Sequence, residues 1–189
     1  MGGYHSGGHA QLRPQLWRRP DHGIWDLRAR PEHYISSKIA CWRGLSSAEE
    51  ILKNTSQIFP IRLKTESNKI KETILREGFD RNKQSYTQAF GATELDSSAL
   101  LVALSGIQDW NDPEVLSTLL VLQNELRFGP FIKRYQNAQR SEDFEGAHLL
   151  STLWWIFCLT KTGKIHEAAD SLDELCRLSH PLGFFGEGV

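Results

Sequence analysis

The 189-residue sequence has three cysteines and one methionine, and 22 Lys and Arg nearly cancel 23 Asp and Glu to leave a net charge of −1. Cys41, Cys158 and Cys176 form no CxxC pair and are too few for a disulfide scaffold, so they read as buried thiols of a reducing compartment. Without a basic excess there is no electrostatic footprint of a nucleic-acid binder. No apolar run is long: 149–159, interrupted by Ser151 and Thr152, is well short of the roughly 18–20 residues that cross a bilayer, so no membrane span is expected. The start, MGGYHSGGHAQLRP, lacks the apolar core of a secretory signal, which makes the cytoplasm the expected location.

Chemical motifs are also scarce. The sequence contains no Gly-x-Ser-x-Gly elbow, no glycine-rich phosphate loop ending in Gly-Lys-Ser, and no Gly-x-Gly-x-x-Gly after a strand. His5 and His9 lie in a glycine-rich stretch, and Cys176 and His180 straddle a helix end. Neither pair has zinc-ligand spacing, so neither a metal nor a cofactor is expected.

What is present is helical periodicity. Residues 1–19, rich in Gly, His, Arg and Pro, read as a flexible leading segment, and 20–189 as one domain. Ile35, Ile39, Trp42, Leu45, Ala48 and Leu52 recur at spacings of three and four, which predicts a helix over 34–53. A second helix is expected over 57–79, around Ile61, Ile70, Ile74 and Leu75, with Gly78 as its C′ residue. Turn-formers and aromatics over 80–93 predict a connection with a short strand pairing. Asp96 or Thr93 can cap a run over 95–104, and Asp112-Pro113-Glu114 is a strong helix start for a segment running to about 128. Gly129-Pro130 ends it, and a small extended piece is expected at 131–135.

Residues 145–159 are apolar on nearly every face, as in a helix buried on several sides. After a tight turn at Gly163, 165–178 predicts an amphipathic helix with Ala168, Ala169, Leu172, Leu175 and Cys176 inward. About six helices joined as hairpins give an all-α class. The stretch 146–178 resembles one hairpin of a helical repeat, but no second copy lies at a fixed offset, which counts against a repeat scaffold.

Two carboxylates compete for chemical attention. Asp26 follows a tryptophan in Asp21-His-Gly-Ile-Trp-Asp26, and on the residues alone it reads as a helix cap or first-turn charge. Glu187 stands in a Gly-Phe-Phe-Gly-Glu-Gly tail, where the plain reading is an exposed acid.

The order of the motifs changes this reading. Leu16-Trp-Arg-Arg-Pro-Asp-His-Gly-Ile-Trp-Asp-Leu-Arg28 is followed by Tyr34-Ile-Ser-Ser-Lys38, Cys41-Trp42, Gly78-Phe79, Gln88-Ala-Phe-Gly91, Leu95-Asp-Ser-Ser-Ala-Leu100 and Asp112-Pro113. Lys133-Arg-Tyr135, Glu145-Gly-Ala147, Leu153-Trp-Trp155, Gly163-Lys164, Glu167-Ala168, Leu182-Gly183 and Glu187 complete the series. This collinear set resembles glycoside hydrolase family 15, which includes glucoamylases, glucodextranases and a branch of trehalases. The resemblance implies a partial (α/α)6 barrel of the six-hairpin glycosidase type, corresponding to the C-terminal part of the family's catalytic domain. It also implies inverting hydrolysis of an α-glucosidic bond in glucan or trehalose.

By the same resemblance Asp26 takes the general-acid position, where the family carries Glu, and Glu187 is the general base. Trp25 would line the sugar pocket, and Arg134 would be a cation that hydrogen-bonds sugar hydroxyls. Asp26 is one methylene shorter than the family residue, and Gly188 stands where the family usually has a second acid. Weak or absent activity is therefore expected of this chain. The alternative is a non-catalytic carbohydrate-binding or helical interaction module. A partial ring also implies apolar surface at its open edges, with 153–157 and 95–104 the segments at risk and self-association a consequence.

Overall fold

The computed structural model describes residues 15–25, 30–136 and 146–188. Its helices are α1 (Ile35–Asn54), α2 (Ile61–Glu77), α3 (Leu101–Leu104), α4 (Pro113–Leu126), α5 (Leu149–Lys161) and α6 (Ile165–Arg177). Short 3-10 turns occur at Leu16–Arg18 and Ser97–Leu100. Strand β1 (Phe79–Asp80) pairs antiparallel with β2 (Ser85–Tyr86), and β3 (Arg127–Phe128) with β4 (Phe131–Ile132). Among the described residues these two-residue pairs are the named strands, so the architecture is all-α. None of the described helices is long and apolar enough to cross a membrane.

Helix α1 follows its stripe. Ile35 and Ile39 are buried, while Trp42, Leu45, Ala48 and Leu52 are half-buried farther along the helix. Helix α2 starts four residues later than 57, because Pro60 brings no N–H and holds an extended backbone, ψ 128°, at the N-cap. The Pro60 carbonyl accepts from the Leu63 and Lys64 amides at 2.8 and 3.2 Å. The late start also corrects the inward face. Ile61 is 80% exposed, and Leu63, Ile70 and Ile74 are the buried residues.

Gly78 closes α2, but with φ −83° rather than in the left-handed conformation that a C′ glycine usually adopts. It is needed for space. A Cβ there would lie 2.6 Å from the Ile74 carbonyl oxygen and 2.8 Å from Ile35 Cδ1, in the seam between α1 and α2. Gly78→Ala should therefore destabilise the chain by about 1–3 kcal/mol through overpacking. A urea midpoint equal to that of the wild type would show that the seam has room to give.

Asp96 caps the Ser97–Leu100 turn that leads into α3, its side chain accepting from the Ser98 amide. Helix α4 begins at the expected Asp112-Pro113 and stops at Leu126, where Arg127 turns extended to enter β3. The core runs through Ile35, Ile74, Tyr86, Leu100, Leu122 and Trp155, joining α1, α2, the Asp96 turn, α4 and α5.

The last hairpin departs from the sequence reading in two ways. Helix α5 buries Trp155, Ile156, Cys158 and Leu159, but Leu150, Leu153 and Phe157 form an exposed stripe on another face. In α6, Ala168, Ser171 and Leu175 face α5, so Ala169, Leu172 and Cys176 point outward instead of inward. The reason is that α6 packs principally on α5, and that contact uses one narrow stripe of its circumference. The 95–104 run is covered, with Leu95, Leu100, Val102 and Ala103 all buried.

The cysteine reading is corrected as well. Cys41 and Cys176 are exposed, and only Cys158 is buried, with its thiol pushed up to about 12 by loss of solvent. The expected flexible segment falls mostly outside the described residues, but its end is held. Trp17 Nε1 donates to Glu66 on α2 at 3.2 Å, and Arg18 pairs with the same carboxylate at 2.7 Å. The Arg18 hydrogen bond is the main cause that brings the Glu66 carboxyl down to about 2.

Candidate functional site

The site begins with the loop that carries Trp25. Asp21 and Glu32 exchange backbone hydrogen bonds at 2.8 and 2.9 Å, closing the loop at its base. The Asp21 carboxylate accepts from the Gly23 amide at 2.8 Å, from Ser37 Oγ at 2.5 Å and from Lys38 Nζ at 2.8 Å. Lys38 is buried on α1 and also donates to the Arg19 carbonyl at 2.8 Å. Burial raises the Asp21 carboxyl, but the Lys38, Ser37 and Gly23 donors outweigh it, and the net position is below the ordinary carboxylate range. Gly23 has no substitute, since its φ is +69° and a Cβ would meet the Tyr34 ring at 2.8 Å.

This turn delivers Trp25 to the middle of the cluster. Its indole Nε1 donates to Asp96 Oδ2 at 2.8 Å. Its ring meets His148 edge-on, with centroids 5.3 Å apart at 87°, and lies 6.1 Å from Trp154. The Arg134 guanidinium stands 5.6 Å from the Trp25 centroid and 5.4 Å from that of Tyr135. Asp26 lies outside the described residues.

A second strut comes from the Asp96 turn. The Ser97 amide donates to the Arg134 carbonyl at 2.9 Å, and Asp96 pairs with Tyr135 in an isolated bridge. Ser97 Oγ and Ser151 Oγ are 2.6 Å apart, and Ser151 Oγ is 2.9 Å from His148 Nδ1. A buried polar seam thus runs beneath the aromatic surface.

Glu187 arrives from the far end of the chain. The Leu149 amide donates to the Glu187 carbonyl at 2.9 Å, and His148 bridges Gly188, so the backbone start of α5 fixes the tail. The Glu187 side chain is 77% exposed, and its Oε1 lies 3.5 Å from Arg134 Nη1 and 3.6 Å from His148 Nε2. Of the sequence-derived set, Trp25, Arg134 and Glu187 are brought together. Asp96, His148 and Trp154 join them without having been singled out for the site. Among the described residues, no group of three His, Cys, Asp or Glu side chains is arranged to hold a metal ion.

Asp96 is the electrostatic anomaly of the site. It is fully enclosed, and burial raises its carboxyl to about 6 against the pull of donors from Ser98 and Trp25. A folded pKa above the unfolded value means that the native state holds this proton more firmly. Its stabilising contribution is complete below about pH 4 and is lost as pH rises through about 6, a change on the order of 3 kcal/mol. Asp21, with a lowered carboxyl, acts in the opposite sense and at lower pH. His148, whose lowered pKa acts in the opposite sense, is common to both proteins, so between pH 4 and 7.5 the stability of the wild type should fall relative to that of Asp96→Asn in urea unfolding. Equal slopes in the two proteins would contradict the assignment.

An all-α partial toroid that gathers aromatic faces, an arginine and an exposed carboxylate at one end has the makings of a helical-barrel glycosidase. The description Glycosyl hydrolases family 15 matches residues 14–179, and the chain belongs to that family. A trehalase of Thermoplasma volcanium is 30% identical over 176 residues, covering 92% of this chain and 28% of its own length. A trehalase of Mycobacterium tuberculosis is 29% identical over 177 residues, covering 92% of this chain and 26% of its own length. The chain thus spans less than a third of these curated relatives. A solved glycosidase in complex with glucose superposes with TM-score 0.80 at 17% identity, over 93% of this chain and 46% of the other. The wild-type glycosidase gives TM-score 0.79 with the same identity and coverage. These likenesses establish the fold as part of an (α/α)6 barrel.

Proposed function

We propose that the chain carries the acid–base portion of an inverting α-glucosidase site, acting on trehalose or on the non-reducing end of an α-glucan. In this reading Asp26 donates a proton to the glycosidic oxygen as the bond to the anomeric carbon breaks. Glu187 accepts a proton from the water that attacks that carbon from the opposite face. The products are β-glucose and the departing sugar, with the anomeric configuration inverted. Trp25 supplies an apolar face for a pyranose ring, and Arg134 donates to sugar hydroxyls.

The observation that carries the reading is the convergence of Glu187 with Trp25 and Arg134, three residues from distant parts of the chain. Arg134 and His148 both approach Oε1 of Glu187, which leaves Oε2 to take the proton from water. The trehalase relatives favour trehalose as the first substrate to try. The shorter acid at position 26 favours a second reading, a carbohydrate-binding module without turnover.

Calorimetry and glucose release, measured together with trehalose and maltooligosaccharide, separate the two. Glucose release that Glu187→Gln abolishes supports the hydrolase. Binding without release supports the module, and absence of both refutes a sugar site.

A further inference from the structure

We infer that His148 is a positioning residue for the Glu187 carboxylate, held as the neutral Nε2–H tautomer by a buried serine relay. The inference rests on the proposed role of Glu187. It starts from the other ring nitrogen, because a neutral imidazole carries one N–H and the partner of one nitrogen decides the state of the other.

His148 occupies the N-cap of α5, and its Nδ1 accepts from the Ser151 amide at 3.3 Å. A backbone N–H can only donate, so Nδ1 carries no proton and the ring hydrogen sits on Nε2. Ser151 Oγ, 2.9 Å from Nδ1, then donates to it as well, and Ser97 Oγ at 2.6 Å donates to Ser151. All three side chains are buried. The relay runs in one direction, from Ser97 through Ser151 to His148 Nδ1, and it leaves Nε2–H facing Glu187 Oε1 at 3.6 Å. Contacts of this kind in unliganded enzymes are often long and tighten when substrate binds.

The main chain reinforces the grip. The His148 bridge to Gly188 and the bond from the Leu149 amide to the Glu187 carbonyl place the base loop against the ring that steadies its side chain. The Trp25 ring also packs edge-on with the imidazole. Among the described residues, two charged groups face His148, Arg134 and Glu187. Burial is the largest influence and lowers its pKa, Arg134 lowers it further, and Glu187 partly restores it. The ring is therefore neutral at pH 7.5, and as a neutral donor it orients a carboxylate without neutralising it.

The test is long-range proton–nitrogen NMR of the histidine rings in the whole 189-residue chain, and it needs no turnover. The His148 signals are assigned by their loss in His148→Asn, a substitution whose side-chain oxygen keeps the N-cap of α5. The expected pattern at pH 7.5 is a protonated Nε2 and a bare Nδ1. The His148 titration midpoint should lie below the ordinary imidazole value and move lower still in Glu187→Gln, because the supporting negative charge is gone. An Nδ1–H tautomer, or a midpoint that Glu187→Gln leaves in place, overturns the inference. A purely structural cap predicts the tautomer but not the response to Glu187. Absence of both sugar binding and hydrolysis would refute the proposed function and would not alter these spectra, so the two failures are distinguishable.

Discussion

Asp26→Glu should raise the rate of trehalose or maltooligosaccharide hydrolysis on the order of 10²-fold, the cost commonly attached to a misplacement of about 1 Å at a catalytic group. General acid catalysis needs the carboxyl within about 2.6–3.2 Å of the oxygen it protonates. The side chain at 26 follows Trp25, whose indole is tied to Asp96 and whose loop is locked by Gly23, Asp21 and Lys38. One added methylene restores the reach of the family's Glu at this position. A gain in kcat with little change in KM marks the acid slot as the limiting defect. An unchanged rate would move the defect elsewhere in the cleft.

Glu187→Gln should lower whatever hydrolysis is present by about 10²–10⁴-fold, the usual contribution of a positioned base. The substitution keeps size and hydrogen-bonding capacity but removes the acceptor for the water proton. Because the side chain is 77% exposed, the loss cannot be ascribed to a collapsed core, and the unfolding midpoint should stay within about 0.5 kcal/mol of wild type. Turnover that survives the substitution would show that another group activates the water.

Several features of the fold were legible in the sequence because they are local. The three-and-four spacing of α1, the Asp112-Pro113 start of α4 and the Gly163 turn each follow from a few adjacent residues. Periodicity carried through Pro60 puts the start of α2 too early, because backbone chemistry overrides pattern there. The inward face of α6 is narrower than its apolar pattern, since a residue such as Leu172 faces a neighbour only where one is packed, and that is a tertiary fact.

The site divides along the same line. Ordered family motifs single out Trp25, Arg134 and Glu187 as candidates. Of the two cap candidates, Asp96 and Thr93, Asp96 is the cap, but nothing in Leu-Asp-Ser-Ser shows that its second oxygen holds an indole 71 positions away. His148 carries little sequence signal for the site. Its role comes from the meeting of the α5 N-terminus with the tail, and a polar residue within an apolar run beside the Glu145-Gly-Ala147 motif was the one available hint.

The most direct measurement of the central claim is the anomeric form of glucose released in the first minutes of reaction, followed by proton NMR before mutarotation equilibrates it. With Asp26→Glu to strengthen the signal, the acid–base assignment predicts β-glucose first from maltooligosaccharide, equal β- and α-glucose from trehalose because its departing sugar keeps the α configuration, and no release once Glu187→Gln is added. Initial α-glucose without β-glucose, or β-glucose that persists without Glu187, would contradict it.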